Sequence, residues 1–290
     1  MLNYRSLIFL AAVLPMSAGS IFVTEGNTLY TVDTGSLSVL NTVGLASPFT
    51  PLSMSEDPLN GLLYANDGTG TLYTINPTNG NVNTVGTLAA AGSSAPATNG
   101  QLAFDNSGDL YLQSSALAGD GGSLVYGVDP TTGLFTGTSA NETYHLNGFV
   151  FNSLTGAFET LGSGSGRGSG TPAIVYDIDP SSGSLSYVSG AYTPGFGQIP
   201  DLLAVDASGI LYAECSGVGS GSGSAIYCPN GATLVSFNDP NNSISQLGAL
   251  PGTENDVIAT DLSSFAPEPS AVILMLSGAA GLFVFRKKIF

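Results

Sequence analysis

Short runs in which apolar and polar residues alternate recur along the chain, and this period of two predicts β-strands. One phrase occurs five times: an alternating strand, a turn of the Asp/Asn-Pro-x-x-Gly kind, and a second alternating strand. Repeats of this kind predict one β-propeller blade for each copy. The equivalent positions Tyr30, Tyr73, Tyr126, Tyr176 and Val235 are separated by 43, 53, 50 and 59 residues.

The turns inside the phrase have a chemistry that explains their recurrence. Proline fixes the backbone at the start, the preceding Asp or Asn accepts hydrogen bonds from the turn, and glycine supplies positive φ at the end. The recurring aspartates are therefore predicted to form turns. The first copy has Thr34 in place of proline and the last has Asn242 near the glycine position, as in degenerate terminal repeats. The turn residues are Asp33, Asp129, Asp179 and Asp239, with Pro77, Pro130, Pro180 and Pro240, and Gly80, Gly133 and Gly183.

A second, weaker phrase precedes each of these, and short apolar strands precede three of the weaker phrases. The apolar strands lie at residues 102–105, 148–152 and 202–206. Each unit then contains four strands, which is the content of a propeller blade. The weaker phrases surround Phe22, Tyr64, Tyr111, Phe158 and Tyr212.

The two ends of this repeat region predict how the ring closes. The first unit starts directly at its second strand, residues 21–24, and a spare strand lies at the far end, residues 256–261. If the spare strand joins the first unit, it closes the ring and removes the open edges. We therefore expect an all-β fold over residues 20–262, a propeller of about five four-stranded blades. A β-sandwich, an open array and another blade number are the alternatives.

Composition supports the all-β prediction and excludes nucleic acids as partners. Arg167 is the only Lys or Arg between residues 6 and 285, so the folded part is strongly acidic. Such a surface repels phosphate backbones, which excludes nucleic acid binding. The chain has no tryptophan, and Gly, Ser, Thr and Asn carry most of its polarity.

The C-terminal end has a different character. Residues 271–285 carry no charge, and as a helix they would extend roughly 22 Å, short of the ~30 Å hydrocarbon core of a bilayer. Three basic residues follow at once, which predicts a marginal transmembrane helix with the C-terminus in the cytoplasm. A buried core helix is the alternative. The basic residues are Arg286, Lys287 and Lys288.

Pro267, Glu268 and Pro269, the apolar run and the basic end occur in that order, and residues 267–290 resemble the PEP-CTERM sorting signal of exported Gram-negative proteins. The resemblance implies an exosortase-type enzyme as partner, a transient stage in the inner membrane, and cleavage near the Pro-Glu-Pro element. It also implies a final location in the cell envelope or outside the cell. Residues 263–266 would link the signal to the folded domain.

The N-terminus is consistent with export. Residues 1–5 carry one positive charge, residues 7–14 are apolar, and Ser17, Ala18 and Gly19 are small. This predicts a signal peptide over residues 1–19. An N-terminal transmembrane helix is the alternative.

The two cysteines, Cys215 and Cys228, lie 13 positions apart. In an oxidising compartment they are predicted to form one disulfide across a Gly/Ser-rich loop. A pair of buried free thiols is the alternative. With the lone His145 far away in sequence, they make a poor zinc set.

Few residues suggest catalysis. His145 has no G-x-S-x-G elbow, and the folded part has no lysine for a P-loop or a Schiff base. Asp105 and Asp109 are weak candidates for calcium, since their loop falls short of the D-x-[DN]-x-[DN]-G pattern. The recurring tyrosines are predicted to pack within and between blades, with carbohydrate stacking as the alternative.

The folded part broadly resembles propeller domains of the lactonase or NHL kind in its strand and turn pattern alone. We expect an exported, non-catalytic protein without a cofactor that binds an exopolysaccharide or an envelope protein, or serves as a structural spacer. The alternative is a calcium-assisted propeller enzyme, lactonase-like or lyase-like. It would require several of Asp105, Asp206, Asp256 and Asp261 to meet at one end of the central channel.

Overall fold

The structure is a computed structural model. It describes residues 19–46, 50–92, 100–114, 123–137, 140–142, 146–163, 173–188, 203–206, 209–215, 233–238, 243–251 and 257–260. Within these residues the chain forms twenty β-strands, arranged in five four-stranded antiparallel sheets. The five sheets are the blades of a propeller, numbered here in chain order.

In every blade the first strand is innermost and each following strand pairs with the one before it. Blade 1 contains β20 (Val257–Thr260), β1 (Ser20–Glu25), β2 (Thr28–Asp33) and β3 (Val39–Gly44). Blade 2 contains β4 (Pro51–Glu56), β5 (Leu63–Asp67), β6 (Thr71–Ile75) and β7 (Val82–Thr87). Blade 3 contains β8 (Gln101–Phe104), β9 (Leu110–Ser114), β10 (Ser123–Val128) and β11 (Ala140–Glu142).

The other two blades follow the same order. Blade 4 contains β12 (Leu146–Asn152), β13 (Ala157–Ser163), β14 (Ala173–Ile178) and β15 (Leu185–Tyr187). Blade 5 contains β16 (Leu203–Val205), β17 (Leu211–Cys215), β18 (Thr233–Asn238) and β19 (Ser243–Ala249). The turns from first to second strand and from third to fourth strand lie at one end of the ring, the turn rim. The opposite end is the loop rim.

The ring closes as the sequence predicts. Strand β20 pairs antiparallel with β1, from Ile21 opposite Thr260 to Thr24 opposite Val257. The innermost strands contact one another in the cyclic order β20, β4, β8, β12, β16 and back to β20. Neither side of β1 is therefore an open edge, which removes a template for aggregation. A sandwich and an open array are excluded.

The apolar core lies between neighbouring blades. Phe22, Leu29 and Ala259 of blade 1 pack against Met54 and Leu63 of blade 2. Equivalent clusters join blades 2 and 3, blades 3 and 4, and blades 5 and 1. Burying a side chain of this size contributes about 2 kcal/mol, so the blades stabilise one another through these interfaces.

The outer turns confirm the predicted role of the recurring aspartates. Asp129 Oδ1 accepts hydrogen bonds from the Thr131 backbone (2.8 Å) and hydroxyl (2.7 Å), and Asp179 bonds Ser181 in the same way. In the first repeat, Leu37 occupies the place of the turn glycine with φ 56°. The degenerate copy thus keeps the left-handed turn without its glycine. Asp239 lies outside the described residues.

Several predictions fall on residues that the structure leaves out: the signal peptide 1–19 apart from Gly19, the linker 263–266, and the sorting signal 267–290 with its helix. In the described part of the chain, no helix is long and apolar enough to cross a bilayer. Two strands had no sequence prediction. One is β4, whose run PLSMSE begins with proline and is not continuously apolar. The other is β11, because the repeated phrase places the fourth strand of blade 3 directly after the turn, within residues 134–137.

Candidate functional site

The turns between first and second strands start alike in blades 2, 3 and 4. Each starts with an Asp or Asn whose Oδ1 accepts a hydrogen bond from the backbone N–H two residues later. The pairs are Asp57 with Leu59 (2.8 Å), Asp105 with Ser107 (2.8 Å) and Asn152 with Leu154 (3.0 Å). The turns of blades 2 and 4 close four residues after the Asp or Asn, whereas the blade 3 turn closes one residue earlier, so Ser107 holds the corresponding place in a shorter turn.

At two blade interfaces this position carries a leucine that covers the next blade. Leu59 of blade 2 contacts the site above Gly108 of blade 3, where its Cγ lies 2.9 Å from the place of an added Cβ. Leu154 of blade 4 covers Gly209 of blade 5 in the same way, with its Cδ2 at 2.9 Å. Each leucine thus contacts the neighbouring turn, while most of its side chain stays exposed.

Between blades 3 and 4 the leucine is replaced by Ser107, and the gap stays open. A Cβ added to Gly156, the glycine that Ser107 faces, would meet nothing within 4 Å. A groove with a cavity volume of about 640 Å³ occupies this place on the turn rim. That volume falls within the range of pockets that hold small ligands. We call it the blade 3–4 groove.

The groove has an aromatic floor formed by Tyr111, Phe151 and Phe158. The rings of Tyr111 and Phe151 each meet the ring of Phe158 edge to face, with centroids 4.9 and 5.0 Å away. Phe158 is buried, whereas Tyr111 and Phe151 are half-buried. The floor is therefore the outer margin of the apolar cluster that joins the two blades.

Carboxylates line the groove above this floor. Asp105 comes from blade 3, and Asp177 and Asp179 come from blade 4. The pKa of Asp179 is lowered to about 2, first by the hydroxyl of Ser181 and then by that of Ser182. A hydrogen-bonded carboxylate of this kind is ionised over the whole physiological range.

These charges affect the pKa of Tyr111 on the floor. The pKa of Tyr111 is raised, first by burial and then by the negative charges of Asp105, Asp109 and Asp179. The raised pKa means that an added negative charge is unfavourable at the tyrosine. The groove is thus a site of negative potential with an apolar base, and a positively charged group is the one it favours.

A second feature is a buried polar position two residues after the aromatic residue of the second strand, seen in blades 1 to 4. Gln113 Nε2 donates to Thr160 Oγ1 of the next blade at 3.3 Å, and Thr160 donates to the Gly148 carbonyl at 2.6 Å. Asn66 donates to the Gly100 carbonyl at 3.0 Å, while its buried Oδ1 has no partner among the described residues. This position links blades by hydrogen bonds, and the sequence analysis missed it.

The acids proposed for the calcium-assisted alternative are only partly placed. Asp105 and Asp206 end the innermost strands of blades 3 and 5 on the same rim, while Asp256 and Asp261 lie outside the described residues. Asp206 accepts a hydrogen bond from the hydroxyl of Tyr212 at 2.7 Å. Across the described ranges, no three His, Cys, Asp or Glu are grouped so that they could hold a metal ion.

Asp105 and Asp109, the weak calcium candidates, are joined by a turn hydrogen bond. Asp105 Oδ1 accepts from the Asp109 backbone N–H at 2.9 Å, as well as from Ser107. One carboxylate oxygen is thus committed to the turn. Calcium at this loop stays a prediction.

Other predicted site residues cannot be placed together. Cys215 ends β17, but Cys228 lies outside the described residues, so the disulfide stays a prediction. The same holds for His145 and for the sorting residues Pro267, Glu268, Pro269, Arg286, Lys287 and Lys288.

Two of the recurring tyrosines pack between blades as predicted. Tyr64 and Tyr212 are buried in the clusters there, and Tyr64 meets Phe104 edge to face. The others are half-buried, and part of the Tyr111 ring faces the blade 3–4 groove. The sequence gives no local signal for the groove, because recognising it requires knowing which turns are neighbours.

Three solved structures illustrate what this chain is similar to. A structural genomics protein of unknown function from Bacteroides thetaiotaomicron VPI-5482 has a TM-score of 0.45 and 15% identity, over 79% of this chain and 58% of that one. A putative TolB from Agrobacterium tumefaciens has a TM-score of 0.40 and 13% identity, over 79% and 69%. A protein of unknown function from Bacteroides caccae has 0.37 and 13%, over 80% and 73%.

The present chain therefore spans 58% of the length of the Bacteroides thetaiotaomicron protein. The search of curated proteins found no match. Residues 16–115 match the model of a family described as a repeat of unknown function, DUF6923. This match covers β1 to β9, which are three strands of blade 1, all of blade 2 and half of blade 3, so it coincides with the start of the predicted repeats.

Proposed function

We propose that this protein is an exported, non-catalytic binding propeller of the cell envelope or extracellular matrix. The blade 3–4 groove is the observation that supports binding most directly. The two neighbouring interfaces have a leucine against the next turn, whereas here a shorter turn carries Ser107 and a partly exposed aromatic floor lies between carboxylates.

The proposed route is the one that the two chain ends predict. A signal peptide over residues 1–19 starts export, and the tail resembling a PEP-CTERM signal is held in the inner membrane until an exosortase-type enzyme cleaves it. The closing strand β20 supports this order, because it ends at Thr260, seven residues before Pro267. Cleavage near that proline would leave the ring intact.

The route is tested by mass spectrometry of the protein in cell fractions. We expect a chain that begins near Ser20 and ends near Pro267. A released chain that still ends in Phe290 would contradict the sorting proposal. Replacement of Glu268 by Ala should keep the full-length chain in the inner membrane fraction.

The binding role is tested in cells that lack the protein. Purified wild-type protein and Ser107→Leu are added back, and their retention in the envelope and matrix fractions is compared. Ser107 is exposed in its turn, so a leucine there should be tolerated and should occupy the groove, with the melting temperature of the variant as the check on folding. Loss of retention is expected, and equal retention of a folded variant would contradict binding through the groove.

A further inference from the structure

The folded part of this chain contains no lysine and one arginine that could balance the carboxylates of the blade 3–4 groove. Between residues 6 and 285 the only Lys or Arg is Arg167. It belongs to the connection between β13, which ends at Ser163, and β14, which begins at Ala173, and both of those strand ends lie at the loop rim. The groove opens at the opposite rim.

Two carboxylates on facing sides of the groove are placed to receive a cation. Asp105 uses Oδ1 for the turn and its Oδ2 has no partner among the described residues. Asp179 keeps its full negative charge while Ser181 and Ser182 fix its orientation. Held carboxylates of this kind bind guanidinium or ammonium groups without a large loss of side-chain freedom.

The shape of the floor indicates which class of ligand fits the groove. The ring planes of Tyr111 and Phe158 meet at 68° and those of Phe151 and Phe158 at 63°. Because Phe158 is buried and Tyr111 and Phe151 are half-buried, the floor lacks the broad exposed aromatic face on which a pyranose ring stacks. A groove with a partly exposed aromatic floor and carboxylates along it suits an aliphatic stem that ends in a charge.

From this geometry, and resting on the binding role proposed above, we propose that the blade 3–4 groove receives an arginine or lysine side chain of a protein partner. The aliphatic stem lies against Tyr111 and Phe151, and the charged end lies between Asp105 and Asp179. Arginine is bound more tightly than lysine, because a planar guanidinium presents several donors to a carboxylate and stacks on aromatic rings.

The test is calorimetric titration of the purified protein with capped tripeptides. Acetyl-Gly-Arg-Gly-amide should bind, and the same peptide with citrulline, which keeps the shape but not the charge, should bind at least tenfold more weakly. Binding of the arginine peptide should weaken as sodium chloride is raised, since the charges are near the surface. Equal binding of the citrulline peptide, or no binding of the arginine peptide at millimolar concentration, would overturn the proposal.

Two variants locate the site. Asp179→Asn keeps the acceptor for the turn and removes the charge, and it should weaken binding about fivefold or more. Asp129→Asn is the matched control, because Asp129 makes the same turn in blade 3 but does not line the groove. An equal loss in both variants would overturn the assignment. Ser107→Leu should abolish binding, with its melting temperature measured as the check on folding.

An oligomer of glucosamine, with its protonated amines, is titrated alongside the peptides. If it binds and the peptides do not, the partner is an amino sugar polymer and the protein-partner proposal is wrong. That outcome would leave the binding role itself intact. If the binding role fails, Ser107→Leu will be retained in the matrix as well as wild type is.

Discussion

The backbone N–H of Ala46, just after β3 of blade 1, donates a 2.8 Å hydrogen bond to the carbonyl of Gly80 in the outer turn of blade 2. The two blades approach so closely here that a Cβ on Gly80 would collide with the carbonyl oxygen of Gly44 and lie 2.9 Å from Cγ1 of Val43. Gly80 is therefore required both by its own φ of 74° and by its neighbour.

Replacing Gly80 with alanine should destabilise the protein by about 3 kcal/mol, because left-handed backbone strain is added to a backbone collision. Gly26→Ala is the control. It has a φ of 53° but nothing within 4 Å of an added Cβ, so about 1 kcal/mol is expected. Urea unfolding of both variants checks the prediction, and equal losses would contradict it.

The hydroxyl of Thr160 serves two groups of the blade 3–4 interface, the Gln113 amide and the Gly148 carbonyl. Thr160→Val keeps the size of the side chain but leaves both buried groups without this partner. We expect a loss of about 2 kcal/mol or more in the free energy of unfolding. Thr160→Ser, which retains the hydroxyl, should lose less than half as much, and the reverse order would be inconsistent with a hydrogen-bonding role.

Tyr212 gives a stability effect that depends on pH. Burial, together with the hydrogen bond to Asp206, raises the pKa of Tyr212 above its ordinary value of 10.0. A raised pKa in the folded state means that the neutral phenol stabilises the fold fully below about pH 10. This contribution is lost as the pH rises above 10 and the unfolded chain ionises.

Tyr212→Phe should therefore be less stable than wild type by about 2 kcal/mol at pH 7, since the buried Asp206 carboxylate loses a donor. The difference between the two proteins should shrink between pH 10 and pH 11. Denaturant unfolding at pH 7, 9, 10 and 11 measures it. A difference that stays constant over this series would contradict the raised pKa of Tyr212 in the folded protein.

Ending the chain before β20 should open the ring. A chain that stops at residue 255 lacks the strand that pairs with β1 and contacts β4 and β16. We expect loss of the cooperative thermal transition and aggregation through the exposed edge. A chain that stops at residue 262 lacks the same tail but keeps β20, so it should melt as the intact protein does; identical melting of both would contradict the closure.

The fold follows from features that are local in the sequence. The Asp-Pro-x-x-Gly turns identify the third and fourth strands, because turn chemistry depends on a few adjacent residues. The spare run DVIATD identifies β20 by counting strands. Strand β4 was not identified, since its serines and its proline give it neither a clear alternation nor an apolar run. Its place depends on the hydroxyls of Ser53 and Ser55, which accept hydrogen bonds from backbone N–H groups of β8 in the next blade.

The groove depends instead on contacts between separate blades. Nothing near Ser107 in the sequence distinguishes it from any other turn serine. Its meaning comes from Leu59 and Leu154, which hold the equivalent place one blade earlier and one blade later. Asp179 was correctly assigned to a turn, yet its position across from Asp105 was not foreseeable from spacing.

The pairing of β20 with β1 also sets the order of events when the protein is made. Strand β1 is synthesised first, but blade 1 is complete only after β20, the last strand of the domain, has been synthesised. Contacts between such distant parts of a chain form slowly, and the partly made protein exposes an unpaired edge during this time. Such a delay in folding would favour the proposed export, because a translocation channel admits an unfolded chain.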